Sequence, residues 1–230
     1  MRALLLAAGF GTRLRPLTDT IPKCLVPIHG QPLLEYWLEL LLPLNIERTL
    51  INTHYLPDVV RKYVKDSPWR DRIDLVHEER LLGTGGTVFA NRDYFQGETF
   101  MVAHADNLTR FDPVAFALAH ANRRQGTLIT MMTFDTDMPQ SCGIVELDDK
   151  GLLLGFYEKM PNPPGRRANA AVYLFEPEVI NFMGKLEKDE FDISLDVIPH
   201  FMEKIQTYHN ADYHRDIGSL ESLHLAEQEF

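Results

Sequence analysis

The sequence has little cysteine, fewer basic than acidic side chains, and no long apolar run. Its 230 residues include only two cysteines, which excludes a disulfide framework and indicates a reducing compartment. The formal net charge of −10 argues against a general nucleic-acid-binding surface. No apolar stretch approaches the roughly 18 residues of a membrane-spanning helix. We therefore expect a cytoplasmic monomer or homo-oligomer with no nucleic-acid and no membrane partner.

Two familiar phosphate-binding signatures are also missing near the N-terminus. The dinucleotide fingerprint requires a third glycine after its Gly-x-Gly turn, and Leu14 occupies that position. The Gly-Lys-Ser/Thr end of a P-loop does not occur there either. The apolar run 3–8 continues directly into a glycine turn. We therefore expect a first strand at this end of the chain and not a signal peptide.

What the sequence does contain is a glycine turn that joins a buried-strand pattern to a cluster of cations. Gly9 and Gly11 have no Cβ, so backbone N–H groups can approach a ligand closely there, and Thr12 adds a hydroxyl group. The cations that follow are Arg13, Arg15 and Lys23. A tight turn with solvated arginines is the alternative, but these cations stand against an acidic background. The combination predicts a cradle for a polyphosphate.

Alternating strand and helix patterns predict an α/β fold. The hydrophobic fraction of 45% is sufficient for a core, and the length fits one large domain. The predicted strands are 3–8, 48–53, 73–76, 99–103, 128–134, 144–147, 152–157 and 170–175. The predicted helices are 33–42, 57–64, 113–122, 177–183, 195–204 and 219–227, with one more beginning at about Thr87. Strands that alternate with helices imply a doubly wound, mainly parallel sheet flanked by helices.

Three polar features follow predicted strands. In open α/β sheets, ligands bind beyond the carboxyl ends of the strands. The features at these ends are the loop 9–13, a second glycine turn at 83–86, and Asp106. A helix N-terminus that needs glycine only for packing is the alternative at 83–86. A turn or helix-cap role is the alternative for Asp106. Together the three features favour a ligand site at this edge of the sheet.

The stretch from Leu6 to Thr18, followed by Pro22 and Lys23, resembles the signature of the sugar-1-phosphate nucleotidyltransferases. The resemblance implies a Rossmann-like fold and a reaction between a nucleoside triphosphate and a sugar 1-phosphate that gives a nucleotide sugar and pyrophosphate. It implies nucleotide-binding roles for Ala7, Ala8, Gly9, Gly11, Thr12, Arg13 and Lys23. Of these, Arg13 and Lys23 would also be catalytic, facing the triphosphate and the departing pyrophosphate.

A second segment, Glu78 to Gly86, resembles the family motif that lies against the nucleotide base. The resemblance implies that Glu78, Gly83, Thr84 and Gly85 bind the nucleotide. Backbone groups of the glycine turn would face the base and the ribose. The chain has Arg80 and Leu81 where many relatives have an acidic residue and a proline. The side chains that would help to select the base therefore differ from the common pattern at these two positions.

Two aspartates match the family's metal motifs. Asp106 matches the catalytic aspartate that follows the fourth strand, although Ala105 replaces the usual glycine. Asp216 lies in a segment that resembles the second metal motif. Two carboxylates from distant parts of a chain suit Mg²⁺, which prefers one or two carboxylates together with phosphate oxygens and water. The alternative for Asp216 is a helix cap before Ser219.

The second half of the chain resembles the family's sugar-phosphate motifs. Lys159 would hold the sugar phosphate, and Glu158 and Asn169 would contact sugar hydroxyls. Ala171 stands where relatives usually have glycine. The resemblance predicts a single nucleotidyltransferase domain over residues 1–230, with a nucleotide-binding part at about 1–135 and a sugar-phosphate-binding part with a small β subregion at about 136–230. The chain stops directly after its last predicted helix, so we expect no extra C-terminal domain.

The base and the acceptor are less closely defined by the resemblance. The sequence Leu-Gly-Thr-Gly-Gly is similar to that of short mannose-1-phosphate and heptose-1-phosphate guanylyltransferases, so GTP is the favoured triphosphate. The alternatives are uridylyl, thymidylyl or cytidylyl transfer and an acceptor phosphate that is not a sugar. A non-catalytic nucleotide-sugar sensor would be expected to have lost Arg13, Lys23 or a metal aspartate, and all are present. We expect catalysis by positioning and electrostatics, without a general base.

Overall fold

The structure is a computed structural model that describes residues 1–230. The strands are β1 Arg2–Leu6, β2 Pro27–Ile28, β3 Gln31–Pro32, β4 Thr49–Thr53, β5 Ile73–His77, β6 Phe100–His104, β7 Asn107–Arg110, β8 Ile129–Asp135, β9 Gly143–Leu147, β10 Leu153–Glu158, β11 Arg167–Phe175, β12 Ile205–His209 and β13 Tyr213–Asp216. The helices are α1 Leu33–Leu41, α2 Pro57–Asp66, α3 Gly83–Ala90, α4 Pro113–Ala121, α5 Glu178–Met183 and α6 Leu220–Glu229. None of these helices combines the length and apolarity that crossing a membrane requires.

The chain folds into two compact units whose segments interleave along the sequence. Unit I comprises Arg2–Leu81, Ala103–Phe111 and Asp212–Phe230. Unit II comprises Leu82–Val102 and Asp112–Ala211, together with Met1. Strand β6 carries the chain from unit II into unit I.

Unit I is built on a parallel arrangement of β1, β4 and β5, in which Leu5 lies opposite Ile51 and Ile51 opposite Leu75. Residues 3–6 of β1 are buried, as expected for a parallel strand covered on both faces. The amide of Ala105, just after β6, donates to the carbonyl oxygen of Leu6 at 3.0 Å. The loops after β1 and β6 therefore start side by side at one edge of the sheet.

Unit II contains a mixed sheet. Strand β8 pairs with β11 in antiparallel and with β12 in parallel orientation. Strand β9 pairs with β10 and with β11 in antiparallel orientation. Helix α4 begins as predicted at Pro113, and Asp112 caps it, because its carboxylate accepts hydrogen bonds from the amides of Val114 and Ala115. These antiparallel strands provide the β subregion expected in the second half of the chain.

The predicted fold class, with a mainly parallel sheet flanked by helices, is confirmed, and several element predictions are corrected. Helix α3 begins at Gly83 and not at about Thr87. The helix predicted at 195–204 is wrong, because a π-helical turn at Ile193–Val197 is followed by a 3₁₀ turn at Ile198–Phe201. Pro199 near the start of this 3₁₀ turn lacks the N–H group that a continuing α-helix needs. Strands β2, β3, β7, β12 and β13 were not predicted.

Candidate active site

The two glycines of the first glycine turn, Gly9 and Gly11, have different surroundings. Gly11 has φ 63°, and a Cβ placed on it would lie 3.0 Å from Cγ2 of Thr18. The Gly11 carbonyl oxygen accepts a hydrogen bond from the Thr18 hydroxyl at 2.7 Å. A Cβ on Gly9 would meet no atom within 4 Å. The fold itself therefore requires glycine at position 11, whereas the space beside Gly9 is open.

A buried lysine lies between two carboxylates in unit I. The ammonium group of Lys23 is 2.8 Å from Oδ2 of Asp106 and 3.1 Å from Oδ1 of Asp216. The Lys23 side chain is 7% exposed, whereas the two aspartates are 37% and 55% exposed. The guanidinium of Arg13 lies 3.7 Å from Oδ2 of Asp216. Four charged residues from three separate parts of the sequence thus form one cluster.

The charges in this cluster stabilise one another. Burial alone would lower the pKa of Lys23, but the carboxylates of Asp106 and Asp216 outweigh burial and raise it above its usual value. Burial alone would raise the pKa of Asp106, but the ammonium of Lys23 and, less strongly, His104 lower it. Lys23 is therefore a cation and Asp106 an anion throughout the neutral pH range.

A small two-stranded sheet that the sequence did not reveal, formed by β7 and β13, brings the two aspartates together. Asp106 lies in the tight turn between β6 and β7. Strand β13 pairs with β7 in antiparallel orientation and places Asp216 opposite Asn107. The amide of Ile217 then donates to the carbonyl oxygen of Asp106 at 3.2 Å. Main-chain pairing therefore fixes the two carboxylates next to each other, although 110 positions separate them in the sequence.

The cluster fits a divalent cation in its donor chemistry. No group of three or more His, Cys, Asp and Glu side chains able to hold a metal occurs in the structure. Two aspartates alone, however, match a magnesium site that takes its other ligands from phosphate and water. A positive group already lies between their oxygens, because the Lys23 ammonium binds both. Asp106 and Asp216 are therefore arranged around a cation.

An asparagine that sequence reasoning missed links the first glycine turn to Glu78. Oδ1 of Asn52 accepts a hydrogen bond from the amide of Ala7 at 2.7 Å. Its Nδ2 donates to Oε1 of Glu78 at 2.9 Å. Asn52 and Glu78 are 3% and 6% exposed. The signal that could have identified Asn52 is a polar residue inside an otherwise apolar strand pattern.

The second glycine turn binds its own unit through its backbone N–H groups. The amides of Gly85 and Gly86 both donate to the carbonyl oxygen of Phe191, at 2.9 and 3.0 Å. The amide of Thr84 donates to Oδ1 of Asp192 at 3.1 Å. A Cβ on Gly83 would lie 2.5 Å from the Phe191 carbonyl oxygen. Close packing of 191–192 against the start of α3 therefore explains the need for glycine here, as the packing alternative suggested.

The predicted sugar-phosphate residues lie at the end of β10 and on β11, two strands of unit II that both pair with β9. Glu158 ends β10, opposite Gly143 of β9, and Asn169 follows Ala168, which pairs with the next residue of β9, Ile144. The ammonium of Lys159 is 3.5 Å from Oε1 of Glu158, and its side chain is 67% exposed. The sheet therefore brings these side chains to one region, although the segment 160–166, which has neither helix nor strand, separates them in the sequence.

Asn169 is held by two hydrogen bonds. Its Nδ2 donates to the hydroxyl of Tyr173 at 2.6 Å, and its Oδ1 accepts from the amide of Ala171 at 2.9 Å. Ala171 adopts φ 55°, a left-handed conformation that glycine reaches more easily. This backbone conformation gives a physical reason for the glycine that resembling sequences have at position 171.

The sixteen candidate residues divide between the units. Unit I holds Ala7, Ala8, Gly9, Gly11, Thr12, Arg13, Lys23, Glu78, Asp106 and Asp216, and unit II holds Gly83, Thr84, Gly85, Glu158, Lys159 and Asn169. Within unit I the structure joins Arg13, Lys23 and both aspartates into one cluster. Within unit II it places Glu158 and Lys159 at the end of β10 and Asn169 on β11, and both strands pair with β9.

Comparison with known proteins identifies the family. The pattern that defines the family described as "Nucleotidyl transferase" matches residues 2–230, almost the whole chain. The chain belongs to this nucleotidyl transferase family. A mannose-1-phosphate guanylyltransferase from Mycobacterium tuberculosis is 32% identical over 226 residues, covering 96% of this chain and 62% of that protein. A UTP--glucose-1-phosphate uridylyltransferase from Synechocystis is 30% identical over 220 residues, covering 88% of this chain and 55% of that protein. The nucleotidyl transferase chain thus spans little more than half the length of these relatives.

Solved structures of similar fold match almost the whole length of the chain. The crystal structure of HddC from Yersinia pseudotuberculosis, complexed with GMP-PN, has a TM-score of 0.81 and 25% identity, and covers 100% of this nucleotidyl transferase chain and 99% of that chain. A Bacillus anthracis structure in complex with a sucrose has a TM-score of 0.89 and covers 99% of this chain and 94% of that chain. Its 20% identity supports the fold and nothing further.

Proposed function

We propose that the chain transfers a nucleotidyl group from a nucleoside triphosphate to a sugar 1-phosphate, giving a nucleotide sugar and pyrophosphate. The observation that carries this proposal is the cluster of Lys23 with Asp106 and Asp216 beside the first glycine turn. We propose that residues 1–230 act as one nucleotidyltransferase domain, in which about 1–135 serve mainly the nucleotide and about 136–230 mainly the sugar phosphate. Family membership and the names of its relatives support this reaction class.

The sugar phosphate is the nucleophile. It is mostly dianionic at neutral pH, because the second pKa of a phosphate monoester is about 6. One of its oxygens forms a bond to the α-phosphorus while the bond from that phosphorus to the αβ-bridging oxygen breaks. Pyrophosphate leaves with the bridging oxygen. No proton has to be removed, so the protein needs no general base and acts by holding two anions together and stabilising the leaving group.

Residues of unit I bind the triphosphate in this proposal. The open backbone at Gly9 admits the phosphates, and Thr12 donates its hydroxyl. Arg13, whose side chain is 72% exposed, and Lys23 compensate the charge of the triphosphate and of the departing pyrophosphate. Residues of unit II bind the acceptor, with Lys159 on the sugar phosphate and with Glu158 and Asn169 on sugar hydroxyls.

Asp106 and Asp216 would hold Mg²⁺, since two carboxylate oxygens around a positive group match its donor preference. When bound, the cation would neutralise phosphate charge and polarise the reacting phosphorus. Lys23 contributes a positive charge of its own at this place, and the same two carboxylates hold its ammonium group.

Guanine is the base that we propose. The guanylyltransferase relative and the GMP-PN complex support it. The N–H groups of Thr84, Gly85 and Gly86 already have acceptors within unit II, so base selection rests less on them than the sequence suggested. The carboxylate of Glu78, held by Asn52, can accept hydrogen bonds from the adjacent N–H groups of guanine. The uridylyltransferase relative makes UTP the main competitor.

Pyrophosphate release from a panel of GTP, UTP, dTTP, CTP and ATP, each with mannose 1-phosphate or glucose 1-phosphate, tests this proposal. We expect GTP to exceed every other triphosphate by at least about tenfold in kcat/KM, or about 1.4 kcal/mol of transition-state free energy. A preference for a pyrimidine nucleotide would refute guanylyl transfer but keep the reaction class. Pyrophosphate release from none of the pairs would refute nucleotidyl transfer to a hexose 1-phosphate.

A further inference from the structure

The first glycine turn, residues 9–11, is held in place by a segment of unit I that lies outside the motifs recognised in the sequence. This segment, 54–55, directly follows β4. The hydroxyl of Tyr55 donates to the carbonyl oxygen of Thr18 at 2.9 Å. Thr18 is fully buried, and its own hydroxyl donates to the carbonyl oxygen of Gly11 at 2.7 Å. Two hydrogen bonds in series thus connect Tyr55 to the glycine turn.

A second connection between the same segment and the turn runs through aromatic rings. The ring of Phe10, which lies between the two glycines, is centred 5.8 Å from the Tyr55 ring and 5.2 Å from the His54 ring. The rings of Phe10 and His54 stand at 89° to each other, an edge-to-face arrangement that aromatic pairs favour. Nδ1 of His54 contacts the carbonyl oxygen of Glu78 at 2.8 Å, which fixes the ring on which Phe10 packs. Phe10 is 43% exposed, so these ring contacts, and not burial in the core, hold its side chain.

The turn needs such support because glycine is the most flexible residue type. Gly9 and Gly11 flank Phe10, and a glycine loses more conformational freedom on ordering than any other residue. A turn that the protein has already ordered binds its ligand without this entropic cost. The contacts from Tyr55 therefore prepare the main chain of the turn for the phosphates that the proposed function places there.

We propose that Tyr55 and Thr18 are positioning residues that act in series to hold the first glycine turn in the conformation that binds the triphosphate. This inference rests on the proposed function, since it takes the turn as the triphosphate site. Neither residue has to touch the nucleotide, because both act through the carbonyl oxygen of Gly11. The proposed acceptor residues Lys159 and Asn169 belong to unit II. Loss of the two hydroxyls should therefore weaken binding of the triphosphate and not of the sugar 1-phosphate.

Tyr55→Phe and Thr18→Val, singly and together, test this proposal, because each removes one hydroxyl of the series and nearly keeps the size of the side chain. Calorimetric titration with GTP, UTP and dTTP in the presence of Mg²⁺ identifies the triphosphate that the wild type binds most tightly. We expect each single variant to raise its Kd by at least about threefold, the usual effect of one hydrogen bond. Because the hydroxyls act in series, the double variant should fall short of the product of the single effects by at least about twofold.

Further variants separate positioning from a general loss of structure. Thr18→Ser keeps the hydroxyl and should keep the affinity for the triphosphate. Tyr55→Leu also removes the ring on which Phe10 packs and should raise the Kd more than Tyr55→Phe does. The KM for mannose 1-phosphate or glucose 1-phosphate, whichever the wild type converts faster, should stay unchanged in every variant. Tyr36→Phe and Thr127→Val are the matched controls and should leave the Kd unchanged, because their hydroxyls also donate to main-chain carbonyl oxygens, at 2.9 and 2.7 Å.

An unchanged Kd in Tyr55→Phe, or a double variant whose effect equals the product of the single effects, would overturn the proposal. An equal rise of the KM for the sugar 1-phosphate would also overturn it, since the effect would then not be confined to the triphosphate. A wild type that binds none of the three triphosphates would remove the triphosphate from the turn, and the positioning role with it. Triphosphate binding without any product would instead contradict the proposed function, while the Kd values would still decide the role of Tyr55 and Thr18.

Discussion

At the scale of single residues, the position of Lys23 is the most informative feature. A lysine that is only 7% exposed is uncommon unless it is paired, and Lys23 binds two carboxylates. Its raised pKa and the lowered pKa of Asp106 mean that both groups keep their charges well beyond neutral pH. Removing Lys23 would leave two neighbouring carboxylates without a cation between them. Removing Asp106 would leave the buried ammonium of Lys23 with one carboxylate partner instead of two.

The two lysines assigned to different substrates can be separated by kinetics. We expect Lys23→Met to raise the KM for the triphosphate at least about tenfold, the effect of losing one charge-assisted contact. Lys159→Met should instead raise the KM for the sugar 1-phosphate by a similar factor. Initial rates with each substrate varied separately measure this, with Lys65→Met on the exposed side of α2 as the control. If both variants raise the same KM, the assignment of the two lysines is wrong.

At the scale of elements, the long apolar strands could be predicted from sequence and the short polar ones could not. Strand β1 reads as an unbroken apolar run because it is buried on both faces. Strands β7 and β13 have four residues each and carry Asn107, Thr109 and Arg215, so no local pattern marks them. Their pairing across more than 100 residues places Asp216 beside Asp106. The sequence therefore identified both aspartates by motif but not the structure that joins them.

Two glycines in the predicted nucleotide site should respond differently to the same substitution. Gly83→Ala places a Cβ 2.5 Å from the Phe191 carbonyl oxygen at φ 71°, so we expect it to lower the free energy of unfolding by about 2 kcal/mol or more. Gly9→Ala meets no atom within 4 Å and should change stability by less than about 0.5 kcal/mol. It should nevertheless weaken triphosphate binding, because the proposed function places the phosphates in the open space beside Gly9.

Urea unfolding and calorimetric binding of GTP measure the two effects. Gly165→Ala is the control, since its Cβ would also meet no atom within 4 Å and position 165 belongs to no predicted site. A Gly9→Ala variant that binds GTP as tightly as the wild type would remove Gly9 from the nucleotide site. An unchanged stability of Gly83→Ala would contradict the packing explanation for the second glycine turn.

At the scale of the whole molecule, motif resemblance predicted the family, the fold class and the candidate residues, but not the contacts that support them. Asn52 and Asp192 were missed because each acts on a residue of another motif, Glu78 and Thr84 respectively. Such contacts depend on tertiary packing and leave no spacing signal in the chain. The two interleaved units could not be predicted from sequence for the same reason, because each unit groups segments that are neighbours in space and not in the chain.

The stability of the protein should depend on pH through a buried histidine of unit II. His120 contacts the hydroxyl of Thr130 at 2.7 Å through Nδ1 and Oε1 of Glu176 at 2.9 Å through Nε2. Burial lowers its pKa in the folded state, against the opposing hydrogen bond of Glu176. The unfolded chain therefore binds a proton that the folded protein does not, and stability falls as pH falls below about 6.5.

We expect the His120 contribution to approach about 1.4 kcal/mol of unfolding free energy per pH unit between the two pKa values. Chemical denaturation of the wild type and His120→Gln from pH 7 to pH 4.5 measures it, and the variant should show the smaller slope. His29→Gln, an exposed site, is the control. Parallel pH profiles for the wild type and His120→Gln would show that His120 is not neutral in the folded protein.

Isotope tracing tests nucleotidyl transfer to a sugar phosphate most directly. The purified chain is incubated with GTP, Mg²⁺ and mannose 1-phosphate that carries ¹⁸O in its non-bridging phosphate oxygens, and both products are analysed by mass spectrometry. We predict a nucleotide sugar that retains all of the ¹⁸O and pyrophosphate that contains none, with both products lost in Asp106→Asn and retained in Asp149→Asn. A sugar diphosphate with GDP, ¹⁸O in pyrophosphate, or GTP hydrolysis without a nucleotide sugar would contradict the claim.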